Sequence, residues 1–232
     1  MTLGRPKIAM LVHPNMVLLD LLGPHTVFNI LGAEILLVWK SHDSVFTDVG
    51  IAVTPTHTFD ECPADLDVLF VPGGLGGTNA CLQDDDVLDF LKSSARTARH
   101  VVAVCTGSLL LGAAGLLRGE RATTHWYVHD LLTLFGATRI HERVVQSGKF
   151  LTGGGVTAGL DVALTLAAQL AGEETARRIQ LVLEYDPQPP FAAGSPAQAG
   201  EALTSQVLNG RAPVLAKARE AVITACARRG AD

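Results

Sequence analysis

Short apolar runs alternate along the chain with longer segments of helical periodicity, and this alternation most limits the fold. It is typical of an α/β protein with a parallel sheet flanked by helices. Several runs are apolar throughout, as expected for strands buried on both faces. The predicted strands cover residues 8–12, 35–39, 51–54, 68–71 and 101–104, with weaker ones at 139–145 and 150–152. Residues 45–54 could instead form a hairpin that turns at residues 48–50.

Apolar residues at three- and four-residue spacing predict the helices between these strands. The predicted helices cover residues 21–31, 86–98, 108–117, 127–135, 158–171 and 173–183. Residues 184–196 then carry four prolines, which favour an extended segment because proline fixes φ and lacks a backbone donor. A last helix is predicted at about residues 201–228. We therefore expect an α/β domain over residues 1–185 and an extension over residues 186–232, which packs on that domain or on a dimer partner.

Composition excludes several classes of protein. Hydrophobic residues make up 48% of the 232 residues and charged residues 18%, so the chain is not disordered. A net charge of −5 offers no basic surface for a phosphate backbone, so nucleic acid is not an expected partner. Every apolar run is interrupted before the ~20 residues that a spanning helix needs, so no membrane segment is predicted.

The N-terminus and the cysteines indicate the compartment. The first apolar run ends at His13 and Pro14, too early for a signal peptide, and we expect a cytoplasmic protein. The cysteines form no C-x-x-C pair, so neither a disulfide framework nor a zinc cluster is predicted. They are Cys62, Cys81, Cys105 and Cys226.

Cys105 stands where a buried strand ends and small residues begin a helix. Residues 101–108 read Val-Val-Ala-Val-Cys-Thr-Gly-Ser, the strand–nucleophile–helix arrangement in which small neighbours permit a strained turn. We expect the helix N-terminus to favour the thiolate and to lower the pKa of Cys105. A buried core cysteine is the alternative, but a position at the carboxyl edge of the sheet favours a nucleophile.

A second strand runs into a glycine-rich segment, Val-Pro-Gly-Gly-Leu-Gly-Gly-Thr at residues 71–78. It lacks the Lys-Ser/Thr of a P-loop and the spacing of a dinucleotide fingerprint. We expect its backbone to approach a small substrate, with the N–H groups of Gly74 and Leu75 as oxyanion donors. A plain turn is the alternative.

Asp20, His125 and Thr157 are the other candidate site residues. Asp20, in an apolar run, is either a helix N-cap or a buried acid at the sheet edge. Beside a Cys105 thiolate its pKa would rise, and the two groups would share one proton. His125 precedes His129 at helical i,i+4 spacing without an acidic ligand, so we expect no metal and a hydrogen-bonded His125 near the site. Thr157 is expected to cap a helix and to line the same edge.

These segments resemble the ThiJ/PfpI family of the glutamine-amidotransferase-like superfamily over about residues 7–185. The matching motifs are P-G-G at 72–74, A-V-C-T-G at 103–107, G-A-A-G-L-L-x-G-x-R-A-T-T-H-W at 112–126 and G-x-T-A-G-x-D at 155–161. The resemblance implies a flavodoxin-like parallel sheet sandwiched by helices, with Cys105 at a nucleophile elbow.

The motif L-D-L-x-G-P-H at residues 19–25 and the proline-rich segment are most similar to family members that hydrate isonitriles. For those members the resemblance implies that Cys105 adds to the isonitrile carbon and that Asp20 is the acid/base. Water then releases an N-substituted formamide from a thioimidate. Thr106 and the Gly74 region would position substrate or water. No redox cofactor and no metal are implied.

Other functions remain open from the sequence. A ligand or oxidant sensor would use the same thiol, and other family members act as amidases, glyoxalase-like hydratases or deglycases. Many sensor and deglycase members have glutamate where Asp20 stands, and peptidase-like members have histidine where Thr106 stands. AraC-type regulators share the Cys-Thr-Gly motif but add a basic helix-turn-helix region, which we do not expect beyond Asp232. The expected partners are an isonitrile, water and a second copy of the chain in a homodimer.

Overall fold

The computed structural model describes residues 5–229. Its strands are Lys7–Leu11 (β1), Glu34–Trp39 (β2), Val45–Phe46 (β3), Ala52–Val53 (β4), His57–Thr58 (β5), Val68–Val71 (β6), His100–Val104 (β7), Arg121–Ala122 (β8), Thr138–Arg139 (β9), Val144–Ser147 (β10) and Phe150–Gly153 (β11). Its helices are Leu18–Leu31 (α1), Leu75–Cys81 (α2), Asp85–Thr97 (α3), Gly107–Ala113 (α4), Ala158–Ala171 (α5), Glu173–Val182 (α6) and Pro196–Arg229 (α7), with a 3-10 helix at Trp126–Phe135.

Seven of these strands form a central sheet in the order β10-β11-β7-β6-β1-β2-β5. Strand β10 runs antiparallel to β11, and the other neighbouring pairs in this sheet are parallel. The predicted α/β fold with a mostly parallel sheet is thus confirmed.

Both faces of the sheet are buried, in two separate apolar clusters. Along β6, Leu69 and Val71 point into one cluster, and Val68 and Phe70 point into the other. Each of the four side chains is fully buried. This alternation explains why β6 is apolar at every position, since a strand with only one buried face would alternate with polar residues.

The structure corrects three predicted elements and adds one that was not predicted. Residues 45–53 form the hairpin rather than a strand of the central sheet, because β3 and β4 pair antiparallel with each other. The weak strand at residues 139–145 is divided between β9 and β10. Helix α4 ends at Ala113, shortly before Gly115 adopts a φ of 73°. Helix α2 was not predicted, since its two glycines lower helix propensity.

The C-terminal extension begins with an irregular exposed segment and ends in α7. Helix α7 is broken at Gly200, where φ is 78° and ψ is 167°. Beyond the break, α7 buries Ala218, Val222 and Ala225 in one of the two apolar clusters. Gln83 Nε2 also donates to the Ala221 carbonyl at 2.9 Å. The second half of α7 therefore packs on its own chain, while the domain division at residue 185 stays a prediction.

Within residues 5–229, none of the helices combines the length and the apolar character needed to cross a bilayer.

Candidate active site

The carboxyl ends of four neighbouring strands meet at one edge of the central sheet, and the candidate site lies there. Asp20 is in α1, which follows β1. Gly73 follows β6, Cys105 follows β7 and Val156 follows β11. Residues that are far apart in the sequence thus meet at a single point.

Cys105 occupies a strained turn between β7 and α4. Its φ is +55°, a left-handed value that non-glycine residues rarely adopt. Its N–H donates to the carbonyl oxygens of Gly153 at 3.2 Å and Gly154 at 2.8 Å. Its own carbonyl oxygen accepts a hydrogen bond from Thr124 Oγ1 at 2.7 Å. The surrounding hydrogen bonds hold the turn, as the nucleophile-elbow prediction requires, and leave Cys105 only 1% exposed.

Gly73 shows how closely the backbone packs around Cys105. A Cβ atom at position 73 would lie 2.6 Å from the Thr106 nitrogen, 2.8 Å from Cys105 Cβ and 2.9 Å from Asp20 Oδ2. Contacts this short between non-bonded atoms cannot be accommodated without moving the backbone. Glycine is therefore required at this position.

Asp20 is a fully buried carboxyl group in the first turn of α1. Its Oδ2 accepts a hydrogen bond from the Gly73 N–H at 2.9 Å, and Oδ1 has no partner among the described residues. The N-cap of α1 is Val17, so the N-cap interpretation of Asp20 was wrong. Burial raises the pKa of Asp20 to about 7, although hydrogen bonds from Gly73 and Cys105 oppose the shift. Near neutral pH both its protonated and its charged form are populated.

The pKa of Cys105 is also raised, so the predicted lowering at the helix N-terminus was wrong. Burial is the main cause, and the negative charge of Asp20 is the second. The N–H groups of Thr106 and Val156 stabilise the thiolate and oppose this shift without overcoming it. When Asp20 is protonated its charge disappears, and the thiolate becomes easier to form. The negative charge of each group thus makes the other harder to ionise, so the two titrations are coupled.

The glycine-rich loop after β6 is held by hydrogen bonds within the protein. The N–H of Gly74, whose φ is +129°, donates to Thr106 Oγ1 at 2.9 Å. Gly74 is therefore not a free oxyanion donor, contrary to our prediction. Thr106 Oγ1 is also 2.8 Å from Thr78 Oγ1. Leu75 begins α2, where an N–H has no acceptor within the helix.

His125 is neutral and packs beside the loop that follows β11. A Cβ atom on Gly155 would lie 2.8 Å from His125 Cδ2, and the ring centroids of His125 and Tyr127 are 3.6 Å apart. Burial and the charge of Arg211 lower the pKa of His125 to about 4. Its Nδ1 has no hydrogen-bond partner among residues 5–229, so the predicted hydrogen bond is absent. The same residues contain no cluster of three or more metal-binding side chains.

Thr157 lies at the start of α5 but does not cap it with its side chain. The residue is exposed, and its Oγ1 accepts a hydrogen bond from Arg143 Nη2 at 3.2 Å. Arg143 also forms an ion pair with Asp161 at 2.6 Å. Thr157 therefore occupies the N-cap position, as predicted, but its hydroxyl makes no capping hydrogen bond.

Three residues at the site were not identified from the sequence. Gly73 supplies the N–H that binds Asp20, Val156 supplies an N–H to Cys105, and Tyr127 lies within range of the charges of Cys105 and Asp20. Gly73 and Val156 act through their backbones, so their side chains give no signal. The T-T-H-W motif directly before Tyr127 was the available signal for that residue.

Comparison with known proteins places the chain in a family. Residues 6–169 match the DJ-1/PfpI family. The chain is 49% identical to the isonitrile hydratase of Pseudomonas putida over 210 residues, which are 90% of this chain and 91% of that protein. It is 31% identical to the HTH-type transcriptional regulator GbdR of Pseudomonas aeruginosa over 61% of this chain, but spans 38% of that protein's length.

The structural comparison agrees. The crystal structure of a ThiJ/PfpI family protein from Pseudomonas syringae matches with a TM-score of 0.92 and 46% identity, covering 95% of this chain and 91% of that one. Its similarity extends through most of the C-terminal extension, beyond the residues that match the family as a whole. Sequence and structure together establish that the chain belongs to the DJ-1/PfpI family, as its motifs had indicated.

Proposed function

We propose that this protein is an isonitrile hydratase, a hydro-lyase that converts isonitriles to N-substituted formamides. The observation that carries the proposal is the buried Asp20–Cys105 pair, which can provide a nucleophile and a proton to the same atom. An isonitrile carbon requires both. The 49% identity to the isonitrile hydratase of Pseudomonas putida supports the same chemistry.

In the first half of the reaction, the thiol adds across the isonitrile carbon. Asp20 accepts the thiol proton of Cys105 as Sγ forms a bond to that carbon, and Asp20 then delivers this proton to the carbon lone pair. One carbon–nitrogen π bond becomes the nitrogen lone pair. The result is a thioimidate, in which the former isonitrile carbon carries sulfur and hydrogen and is doubly bonded to nitrogen. Asp20 is then a carboxylate.

In the second half, water replaces the sulfur. The Asp20 carboxylate takes a proton from water as the oxygen bonds to the thioimidate carbon, and this proton passes to the nitrogen. The tetrahedral adduct then loses the Cys105 thiolate and its hydroxyl proton, which returns to Asp20. The net reaction adds one water molecule and restores the single proton of the pair.

The N–H groups of Gly73 and Gly74 are not available to stabilise an oxyanion of the kind that amide hydrolysis forms. Amide hydrolysis develops an oxyanion that needs preorganised N–H donors. Here the N–H of Gly73 is used by Asp20 and the N–H of Gly74 by Thr106. Addition to an isonitrile carbon forms no oxyanion. The slender, terminal carbon of an isonitrile also suits a thiol that is 1% exposed.

A role as an oxidant sensor is less well supported by the geometry. Sensor cysteines are accessible and have a low pKa, whereas Cys105 is buried and has a raised pKa.

We assign supporting roles to the other predicted site residues. A hydroxyl group can take part in three hydrogen bonds, so Thr106, bound to Gly74 and Thr78, retains one position for water or substrate. In this proposal Gly74, Leu75 and His125 contact the substrate. The Thr157 hydroxyl accepts a hydrogen bond from Arg143 and is assigned no contact with substrate.

The proposed activity is tested by incubating the protein with a small alkyl isonitrile. We expect the corresponding formamide to appear in the proton NMR spectrum, with many turnovers per protein molecule and without added cofactor or metal. A heat-denatured sample controls for spontaneous hydration. Absence of formamide above that background would refute the assignment.

We also propose a homodimer in the cytoplasm, where a reducing medium would keep Cys105 as a thiol. The end of α6 and the extension expose large apolar side chains, which indicates a partner surface. They are Leu181 (81% exposed), Val182 (70%) and Phe191 (78%).

Light scattering at micromolar concentration is expected to give the mass of a dimer. Leu181→Asp should shift the mass toward the monomer, because it places a charge in the proposed interface. Ile51→Asp, at an exposed apolar residue of the β3–β4 hairpin, should leave the mass unchanged. A monomeric wild-type protein would contradict the dimer.

A further inference from the structure

Arg211 of α7 stands at the outer end of a row of side chains that leads to Cys105. Its guanidinium carbon lies 5.6 Å from the centroid of the Tyr127 ring. Tyr127 packs on His125 with a centroid distance of 3.6 Å, and His125 packs on Gly155. The next residue in the chain is Val156, whose N–H faces Cys105. We name Arg211, Tyr127 and His125 the outer wall of the site.

The positive charge of Arg211 is not neutralised by the protein. Ion pairs within residues 5–229 engage six other arginines but not Arg211. On the same helix, Arg219 is paired with Asp130 and Arg228 with Asp85. The outer wall adds no compensating charge, because burial lowers the pKa of His125 and raises that of Tyr127. Arg211 therefore contributes a positive charge to this side of the site that no ion pair among residues 5–229 offsets.

Asp48 supplies a negative charge that acts on Asp20. Its Oδ1 accepts the Leu18 N–H at 3.0 Å, at the N-terminus of α1. The positive end of the helix dipole offsets a carboxylate placed there. A ligand that extends outward from Cys105 along Tyr127 thus meets Arg211 as its charged neighbour.

We propose that Arg211 is a specificity-determining residue, which favours isonitriles that carry a carboxylate or another anionic group over neutral isonitriles. This inference rests on the proposed hydratase function. The guanidinium offers a planar fork of donors to a carboxylate. The rings of Tyr127 and His125 offer an apolar surface to the carbon chain between the carboxylate and the isonitrile nitrogen.

The test compares kcat/KM for an isocyanoalkanoate and for a neutral alkyl isonitrile of equal chain length. We expect Arg211→Gln to lower the preference for the anionic substrate about tenfold, mainly through KM, because the lost contact is a charge-assisted hydrogen bond. The readout is the ratio of the two kcat/KM values, so a loss shared equally by both substrates does not count as a loss of preference. Arg211→Lys should retain part of the preference, and added salt should weaken the preference of the wild type.

Lys217→Gln is the matched control, since it removes the same charge from an exposed position on the same helix. It should leave the preference unchanged. An equal loss in Lys217→Gln, or no loss in Arg211→Gln, would overturn the specificity role of Arg211 while the hydratase function stands. If neither isonitrile is hydrated by the wild type, the proposed function fails and this inference fails with it.

Discussion

Replacing Cys105 with alanine is expected to lower formamide production by at least about 10³-fold, because no other group in the site can form the covalent bond to the isonitrile carbon. Cys105 is 1% exposed and its backbone is held by three hydrogen bonds. The variant should therefore fold as the wild type does. Formamide is measured by proton NMR, and folding by circular dichroism.

Cys62→Ala provides the matched control. Cys62 is half-buried, and burial raises its pKa to about 11. Its loss should leave turnover unchanged. In the wild type, acid quenching during turnover should trap an adduct on Cys105 whose added mass equals that of the isonitrile. If Cys105→Ala hydrated the isonitrile as fast as the wild type does, the covalent mechanism would be excluded, although the protein would still be a hydratase.

Asp20→Asn should lower turnover by about 10²- to 10⁴-fold and at the same time stabilise the protein above neutral pH. An amide can still accept the Gly73 N–H, so the shape of the site is kept. It cannot donate an acidic proton to carbon, and activity is lost. It also cannot ionise, which removes the cost of a buried carboxylate.

The pH dependence of stability measures the cost of the buried carboxylate separately from the loss of activity. The pKa of Asp20 is about 7 in the folded protein against 3.8 ordinarily, so between these values the folded state binds more protons than the unfolded state. The wild type must then lose stability as the pH rises through this range. The advantage of Asp20→Asn should be small near about pH 4 and should reach on the order of 4 kcal/mol by about pH 8.

Thermal unfolding of the two proteins across this pH range provides the measurement. Asp89→Asn, at an exposed position of α3, controls for the removal of one negative charge. Its stability relative to the wild type should not increase with pH in this way. A difference between wild type and Asp20→Asn that does not change with pH would contradict the buried-acid account of Asp20.

The sequence predicted the features that follow from patterns along the chain. Continuous apolar runs predicted most strands of the sheet, and the small residues after Cys105 predicted the strained turn, which its φ of +55° agrees with. The carboxyl-edge rule then brought Asp20 and Cys105 to one place. These inferences succeed because each depends on local periodicity or on the geometry common to parallel sheets.

The partners of individual polar groups could not be predicted in this way. Gly74 donates to Thr106, which is 32 positions away in the sequence, and nothing near either residue specifies the contact. Helix α2 was missed for a similar reason. A Cβ atom on Gly77 would lie 2.5 Å from His13 Nδ1, so glycine is required there by a distant residue, although it weakens the helix. Tertiary packing decides both cases.

The position of Gly73 also has a consequence for how such a protein can diverge. A methyl group added at position 73 would contact Cys105, Asp20 and the backbone nitrogen of Thr106 at the same time. Any side chain at position 73 would therefore disturb both catalytic candidates in one step. The outer wall is different, since Arg211 is exposed and belongs to a separate helix. Substitutions at Arg211 can thus change the surroundings of a substrate without moving the backbone that holds Asp20 and Cys105.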